Sequence, residues 1–227
     1  NATMRNIIQI EINLMQSFVF FIFITLPWLL ISSLYSPVIL AQISVQDWEQ
    51  KQVSQHILVS SSTVNNVYKV NAKMYVHATP DEFFALLEHT QKDCSWIANC
   101  KRVEVLNQSL SQYRFVHTVF NSPWPVADRE MYTRSFHQFD QSHQHLSILI
   151  EDISSDYPTH PKRVMMNNVT AQWSMSYSHD GWYELNYLAS AEPGGLIPTW
   201  LSKTLLKNAT AETFAQLRER LHADKTF

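Results

Sequence analysis

The chain has 227 residues, a length that accommodates one domain of ordinary size together with a leader segment. Charged residues make up only 16% of it, and the net charge is −3 with scattered lysines and arginines, which argues against a nucleic acid as partner. Glycine-rich phosphate loops and solenoid repeats are also disfavoured, because the chain has three glycines and two of them are adjacent, Gly194 and Gly195.

An uncharged and strongly apolar segment comes first. No charged residue occurs over residues 12–46, and residues 18–31 are almost purely apolar. An apolar core followed by a small residue, here Ala41, is typical of a cleaved signal peptide, whereas about 20 apolar residues can also span a membrane. We therefore predict a signal peptide or membrane anchor over residues 1–41, with a buried helix as the remaining alternative. The domain at 42–227 would then be exported, periplasmic or secreted, or anchored to a membrane.

The next elements show helical and strand patterns in turn. Residues 45–56 are polar with sparse apolar positions, which predicts a short amphipathic helix. Residues 57–64 and 67–77 alternate polar and apolar side chains and predict two strands. Thr79 and Pro80 then begin a helix, because threonine is a favourable N-cap and proline is favourable in the first turn.

The middle of the chain is rich in strand patterns separated by turn signals. The predicted strands are 101–107, 112–120, 129–139, 146–152, 162–169, 172–178 and 183–190. Residues 197–221 return to helical spacing and predict a long C-terminal helix, with Leu205 among its apolar positions. A curved antiparallel sheet combined with a long helix is an α+β fold, and a sheet that wraps around a helix can leave a cavity.

Three short motifs occur in order along this plan. Residues 122–130 read SPWPVADRE, residues 161–173 read PKRVMMNNVTAQW, and residues 192–201 read EPGGLIPTWL. They resemble, in order and spacing, three motifs of the START (StAR-related lipid transfer) domain family: PWP-x-x-x-R-D, the P-x-x-V-R strand with the tryptophan strand after it, and the DPGG-x-x-P-x-W-L entry into the last helix. Glu130 replaces the aspartate of the first motif. The resemblance covers residues 47–221 and is that of an exported, bacterial-type member.

The resemblance implies a helix-grip fold, in which a curved antiparallel sheet wraps around a long C-terminal helix and leaves an internal hydrophobic cavity. It implies a non-enzymatic, monomeric container for one lipid or other hydrophobic molecule, without catalytic residues, metal or cofactor, and with transient contact to a membrane surface. Gly194, Gly195, Leu196 and Trp200 would form its gate. The motif arginine Arg129 would be structural, with ligand contact as the alternative. Two rivals are a cyclase or aromatase enzyme of the same fold and a ligand sensor that transfers nothing.

Aromatic residues make up 12% of the chain, and large binding pockets are typically lined by aromatic side chains with a few polar groups. Arg134 is the one cation among the candidates, so it either contacts a ligand head group or lies on the outer sheet face. A register shift of one residue would turn every candidate on a strand to the other face. The candidate cavity-lining residues are Trp96, Tyr113, Phe115, His117, Tyr132, Arg134, Trp173 and Tyr187.

Cys94 and Cys100 are the two cysteines of the chain, and in an exported protein such a pair favours a disulfide. Positions six apart on one straight helix do not face each other, so the bridge requires a bend between them. We expect no zinc site at the cysteines, because no second pair of ligands has suitable spacing. We expect solvated polar residues rather than metal ligands at five histidines: His137, His143, His145, His160 and His179.

Overall fold

The third and the last strands of the domain pair in the interior of one sheet. A computed structural model describes residues 48–54, 56–65, 67–106, 112–122 and 125–223, which belong to one compact unit. The predicted leader at 1–41 lies outside the described residues, as do Pro123 and Trp124 of the first motif. The strands of the described part are β1 (Glu49–Ser54), β2 (Ile57–Val64), β3 (Val67–Val76), β4 (Cys100–Val105), β5 (Arg114–Phe120), β6 (Asp128–Phe139), β7 (His145–Asp152), β8 (Arg163–Met165), β9 (Asn167–His179) and β10 (Trp182–Glu192).

The strands follow the order β1-β2-β3-β10-β9-β7-β6-β5-β4 across the sheet, and β8 lies beside the first half of β6. Every pairing in this order is antiparallel, and β8 is parallel to β6. Asn65, at the tight connection between β2 and β3, has a φ of 50°, a conformation that asparagine tolerates better than most residues.

Two helices complete the described part. α1 (Pro80–His89) begins with a full capping box, because the Thr79 hydroxyl accepts from the Glu82 backbone while the Glu82 carboxylate accepts from the Thr79 backbone. α2 (Thr199–Ala223) packs its second half against the sheet. We call the sheet face that α2 covers the inner face and the opposite one the outer face.

The core lies between α2 and the inner face. Phe214 and Leu217 of α2 are fully buried there. The Phe214 ring stacks on Trp173 of β9 with ring centres 5.6 Å apart, and Phe83 of α1 meets the same indole at 5.4 Å. One tryptophan thus joins both helices to the sheet. The predicted α+β, helix-grip architecture is confirmed.

Two predicted elements differ from the structure. The helix expected at residues 45–56 is wrong where the structure describes it, because Glu49–Ser54 form β1 and pair along the edge of β2. Residues 45–47 and 55 lie outside the described part. The side chains of β1 are largely exposed, as in an edge strand, and backbone pairing with a neighbour overrides a weak helical pattern. The strand expected at residues 162–169 is split into β8 and the start of β9. Between them the Met166 amide donates to the carbonyl oxygen of Glu130, 2.8 Å away.

Leu205 is 45% exposed, although the helical pattern placed it with the apolar residues of α2. At 3.6 residues per turn, it lies about 120° around the helix from Leu217. Residues four apart are not exactly aligned on a helix, so a row with this spacing turns gradually around the helix axis. A row that is buried at the end of α2 is therefore exposed near its start.

The two halves of α2 predict different responses to truncation. Phe214→Ala should lower the free energy of unfolding by about 3–5 kcal/mol, because it leaves a cavity against Trp173. Leu205→Ala, on the exposed side of the same helix, should change it by less than about 0.5 kcal/mol. Urea unfolding of both variants measures the difference, and equal losses would contradict the packing described.

Candidate functional site

Side-chain size on the inner face changes along the strands. Cross-strand partners share a face of the sheet, and one row of partners consists of Met74, Leu185, Met175 and Leu146. These four side chains are essentially inaccessible to solvent. Large side chains therefore fill the space below the second half of α2.

A second row, further toward the start of α2, contains small side chains at three of its five positions. It runs through Val70, Ala189, Ala171, Ile150 and Ser135, which are partners on neighbouring strands. Leu206 of α2 packs against this row. Because alanine and serine fill little volume, the space between this row and the first half of α2 is the candidate ligand site.

Trp173 and Tyr187 lie between the two rows, with ring centres 4.2 Å apart. Tyr187 is in the middle of a central strand and packs against Trp173 and Phe214. Its hydroxyl has no hydrogen-bond partner among the residues that the structure describes. Burial raises the pKa of Tyr187 to about 12, so the phenol stays protonated and can donate a hydrogen bond.

The structure distributes the predicted lining residues over three places. Trp173 and Tyr187 are on the inner face, while Trp96 lies in the core, where its indole donates to the Thr90 hydroxyl at 3.2 Å. The remainder are on or beside the outer-face positions of β5 and β6: Tyr113, Phe115, His117, Tyr132 and Arg134.

The prediction for β5 and β6 is thus shifted by one residue, which reverses the face of every side chain. The middle of each strand presents smaller or aliphatic side chains to the inner face: Val116, Thr118, Met131, Thr133 and Ser135. The sequence misled because Phe115, Tyr132 and Phe136, aromatic residues of the same stretches, face outward. Sequence reasoning missed these inward residues, and their alternation with the aromatic ones was the available signal.

Arg134 lies on the outer face and is exposed. Its Nε donates to the Glu151 carboxylate at 2.7 Å, and its guanidinium lies 5.4 Å from the centre of the Tyr113 ring. Its ion pair raises the pKa of Arg134, which therefore remains charged. Of the two alternatives for this residue, the structure favours exposure on the outer face over contact with a head group.

A buried polar cluster on the outer face went unpredicted. Glu130 is fully buried, and its carboxylate accepts from the His160 amide at 2.7 Å and from Arg163 at 3.0 Å, with His117 Nε2 also at 3.0 Å. Burial alone would raise the pKa of Glu130, but these partners outweigh it and hold the pKa below its usual value.

The segment 153–162 covers this cluster. Tyr157 of this segment stacks on Tyr132, and Tyr132 stacks in turn on His117, each with ring centres 4.2 Å apart. His117 and Tyr132 therefore contribute to an outer layer rather than to the inner face. The family motif with Glu130 in place of aspartate supplies the central acceptor of this layer.

The loop that leads into α2, residues 193–198, is called the gate loop below. Gly194 and Gly195 have φ values of 66° and 68°, which favour glycine, and a side chain on Gly194 would collide with the carbonyl oxygen of Met165. Beyond them Leu196 is fully exposed and Trp200 is 68% exposed. Two glycines thus let the chain pass close to β8 before it presents two large apolar side chains to solvent.

Cys94 and Cys100 are joined in a disulfide, with Cα atoms 5.9 Å apart. The chain bends between them, and the loop contacts the second half of α2. The Ala98 amide donates to the Thr213 hydroxyl at 3.0 Å, and Arg220 donates to the Asp93 carboxylate at 2.5 Å. The pKa of Asp93 is lowered to about 2, chiefly by its hydrogen bond from the Ser95 backbone.

Within the described residues, no helix is long and apolar enough to cross a membrane.

A sequence model described as the START domain matches residues 34–226. An uncharacterised protein of Pseudomonas aeruginosa is 24% identical over 178 residues, which cover 76% of this chain and 86% of that protein.

Two solved structures are similar in fold. A STAR-related lipid transfer protein from Xanthomonas axonopodis superposes with a TM-score of 0.68 at 19% identity, covering 77% of this chain and 98% of that one. The human StAR-related lipid transfer protein 5 superposes with a TM-score of 0.67 at 12% identity, covering 81% of this chain and 90% of that one. At such identities the similarity establishes the fold alone.

The outer cluster predicts a specific loss of stability. Glu130→Gln should lower the free energy of unfolding by about 2–3 kcal/mol at neutral pH, because it removes the charge that Arg163 and His117 face. The matched control Glu151→Gln breaks an exposed pair on the same sheet and should cost less than about 1 kcal/mol.

The same variant predicts a pH dependence. Because the pKa of folded Glu130 lies below its usual 4.5, the carboxylate stabilises the fold above that pH and loses this effect as pH falls through the folded pKa. The difference between wild type and Glu130→Gln in urea unfolding should therefore shrink in this acidic range. A difference that stayed constant with pH would contradict the assignment.

Proposed function

The chain belongs to the START domain family, and from this premise we propose that it binds one lipid or similar hydrophobic molecule between the inner face and the first half of α2. The observation that carries the proposal is the row of small side chains below Leu206. Each 100 Å² of apolar ligand surface that leaves water contributes roughly 2.5 kcal/mol. A site of this kind can therefore hold a lipid without covalent chemistry.

The polar groups of the inner face support binding rather than catalysis. They include the hydroxyls of Thr118, Thr133, Ser135 and Tyr187, which can form hydrogen bonds but do not exchange protons readily near neutral pH. The Asp152 carboxylate of the same face accepts from the Ser154 and Val169 amides. An enzyme of the same fold would need a paired acid and base facing its substrate.

Two basic side chains of the same face are engaged elsewhere. Arg114 pairs with Glu88 of α1, and His137 packs against the Phe84 ring with ring centres 4.4 Å apart. Burial, and secondarily Arg114, lowers the pKa of His137, so its imidazole is neutral at neutral pH. Two bases do not make the pair of acid and base that an enzyme of this fold would need. This favours a container over an enzyme.

We further propose that lipid enters and leaves when the gate loop and the start of α2 open at a membrane surface. Leu196 and Trp200 are large, apolar and exposed, as side chains that insert into a lipid surface would be. Lys203, one turn beyond Trp200, adds a positive charge on the same segment. Transfer would distinguish this protein from a sensor that retains its ligand.

An exported location completes the proposal. The apolar segment within residues 1–41 and the disulfide of Cys94 and Cys100 both fit a chain that folds in an oxidising compartment. The protein would act there as a monomer.

Native mass spectrometry of the purified protein, with organic extraction of bound molecules, tests the proposal that it binds one lipid. A stoichiometric lipid supports it, whereas an empty protein that takes up no lipid from vesicles refutes it.

Filling the small row should block the site. Ala189→Phe places a ring on the inner face below α2 and should reduce lipid uptake at least about tenfold, because a filled pocket cannot accept the tail. Leu188→Phe, the neighbouring position on the outer face of the same strand, should leave uptake unchanged. Fluorescent lipid titration measures both, and equal behaviour of the two variants would contradict the proposed location.

A charge at the gate should slow transfer. Leu196→Glu introduces a carboxylate at the exposed tip, and we expect vesicle-to-vesicle transfer to slow several-fold while equilibrium binding is retained, since charged groups enter lipid unfavourably. Leu149→Glu, at an exposed leucine on the outer face, is the control and should transfer normally. Unchanged transfer by the Leu196 variant would remove the gate hypothesis.

A further inference from the structure

Two buried threonine hydroxyls of the sheet are without a hydrogen-bond partner in the described part of the chain. Four threonines are buried there, and two of them, Thr90 and Thr210, donate to helix carbonyl oxygens at 3.0 and 2.8 Å. Thr118 of β5 and Thr133 of β6 are equally buried, with 5% and 4% of each residue exposed. Neither of their hydroxyls forms a hydrogen bond with a residue that the structure describes. Because an unpaired buried hydroxyl is costly, the two point to a partner that is not a described residue.

The two threonines are close to each other on the inner face. Thr133 is the cross-strand partner of Val116, and Thr118 is the partner of Met131. Thr118 and Thr133 are therefore diagonal neighbours on paired strands, with about 7–8 Å between such positions. One polar group between them can contact both hydroxyls. We call Thr118 and Thr133 the threonine pair.

The threonine pair lies between the small row and the gate loop. Thr133 is two residues along β6 from Ser135, the end of the small row. The start of the same strand approaches the gate loop, where a Cβ placed on Gly195 would lie 3.9 Å from Arg129 Nη2. A lipid whose tail occupies the proposed site would thus bring the groups next to its tail to the threonine pair.

The charges beside the threonine pair offset each other. Asp152 is the cross-strand partner of Thr133, and Arg129 is a diagonal neighbour of Thr118 on the same face. The carboxylate accepts from two backbone amides, and the guanidinium donates to a serine hydroxyl and a backbone carbonyl. One negative and one positive neighbour favour neither sign of ligand charge at the hydroxyls, and burial of an ion would add the cost of its desolvation. The surroundings therefore favour an uncharged ligand group.

From this geometry we propose that the threonine pair binds an uncharged oxygen group of the lipid, an ester carbonyl or a hydroxyl, between the tail and the gate loop. The inference rests on the proposed function, because it assumes that the tail occupies the site beside the small row. A hydroxyl can both donate and accept a hydrogen bond, so the pair suits either group. A plain hydrocarbon would leave both hydroxyls unpaired, and a site of this kind discriminates against it.

Replacement of both threonines by valine tests this contact, because valine has nearly the same shape and lacks the hydroxyl. Two pyrene-labelled probes with the same alkyl chain, a methyl ester and a hydrocarbon, are titrated against the full-length protein. Thr118→Val with Thr133→Val should weaken binding of the ester about five- to tenfold, as expected for one neutral hydrogen bond. Binding of the hydrocarbon should be unchanged or tighter. Each single substitution should produce part of the effect.

The stability of the lipid-free protein separates a ligand contact from a structural role. Hydroxyls without a protein partner can be removed without loss, so the urea midpoint of the double variant should equal or exceed that of wild type. A lowered midpoint would show that the hydroxyls serve the fold and would overturn the proposal. The control Thr170→Val removes a hydroxyl of the outer face that bonds Ser190 at 2.9 Å. It should lower the midpoint and leave the affinities for both probes unchanged.

The corresponding fatty acid, ionised at mildly alkaline pH, tests the absence of charge. The double variant should lose less affinity for this ion than for the ester, whereas a larger loss for the ion would overturn the assignment to an uncharged group. Equal losses for ester and hydrocarbon would overturn the contact itself while leaving lipid binding intact. If wild type binds none of the three probes, the proposed function fails.

Discussion

The rest of the structure depends on the contact of α2 with the inner face through Phe214 and Trp173. These rings stack, and Phe83 of α1 packs against the same indole, so one side chain of the sheet holds both helices. Such a contact fixes how far α2 stands above the sheet. At the other end of α2 the inner face carries the small side chains of Ala171 and Ala189, against which Leu206 packs. The proposed site lies at that end.

This contact also divides α2 into two mechanically different halves. The second half is held by the core and by the disulfide loop, whose Ala98 amide binds Thr213. The first half follows a glycine pair and carries Trp200 and Leu205 with much of their surface exposed. Local stability follows the density of buried contacts, so opening should begin at the start of the helix. That is the end at which a lipid would have to enter the proposed site.

The charged neighbours Glu130 and Arg129 of β6 lie on opposite faces of the sheet. Glu130 on the outer face is satisfied by Arg163 and His117 under a covering segment, which makes it a structural acceptor. Its neighbour Arg129 faces inward, and its Nη1 donates to the Ser122 hydroxyl and the Ala127 carbonyl oxygen. Two residues that are adjacent in one motif thus have different surroundings, because successive side chains of a strand point in opposite directions.

Local patterns predicted the positions of most strands along the chain, the capped start of α1, the long C-terminal helix and the family, because periodicity, caps and short motifs need only neighbouring residues. Only the tertiary structure decided which face of β5 and β6 is inward, and it placed Tyr132 and Arg134 outside. Both faces of these strands carry side chains that could be buried, so alternation alone does not distinguish them. Likewise β1 is a strand only because β2 offers an edge, and Glu130 is a buried acceptor only because Arg163, His117 and the His160 amide surround it. Partners distant in sequence supply these facts, and no local pattern encodes them.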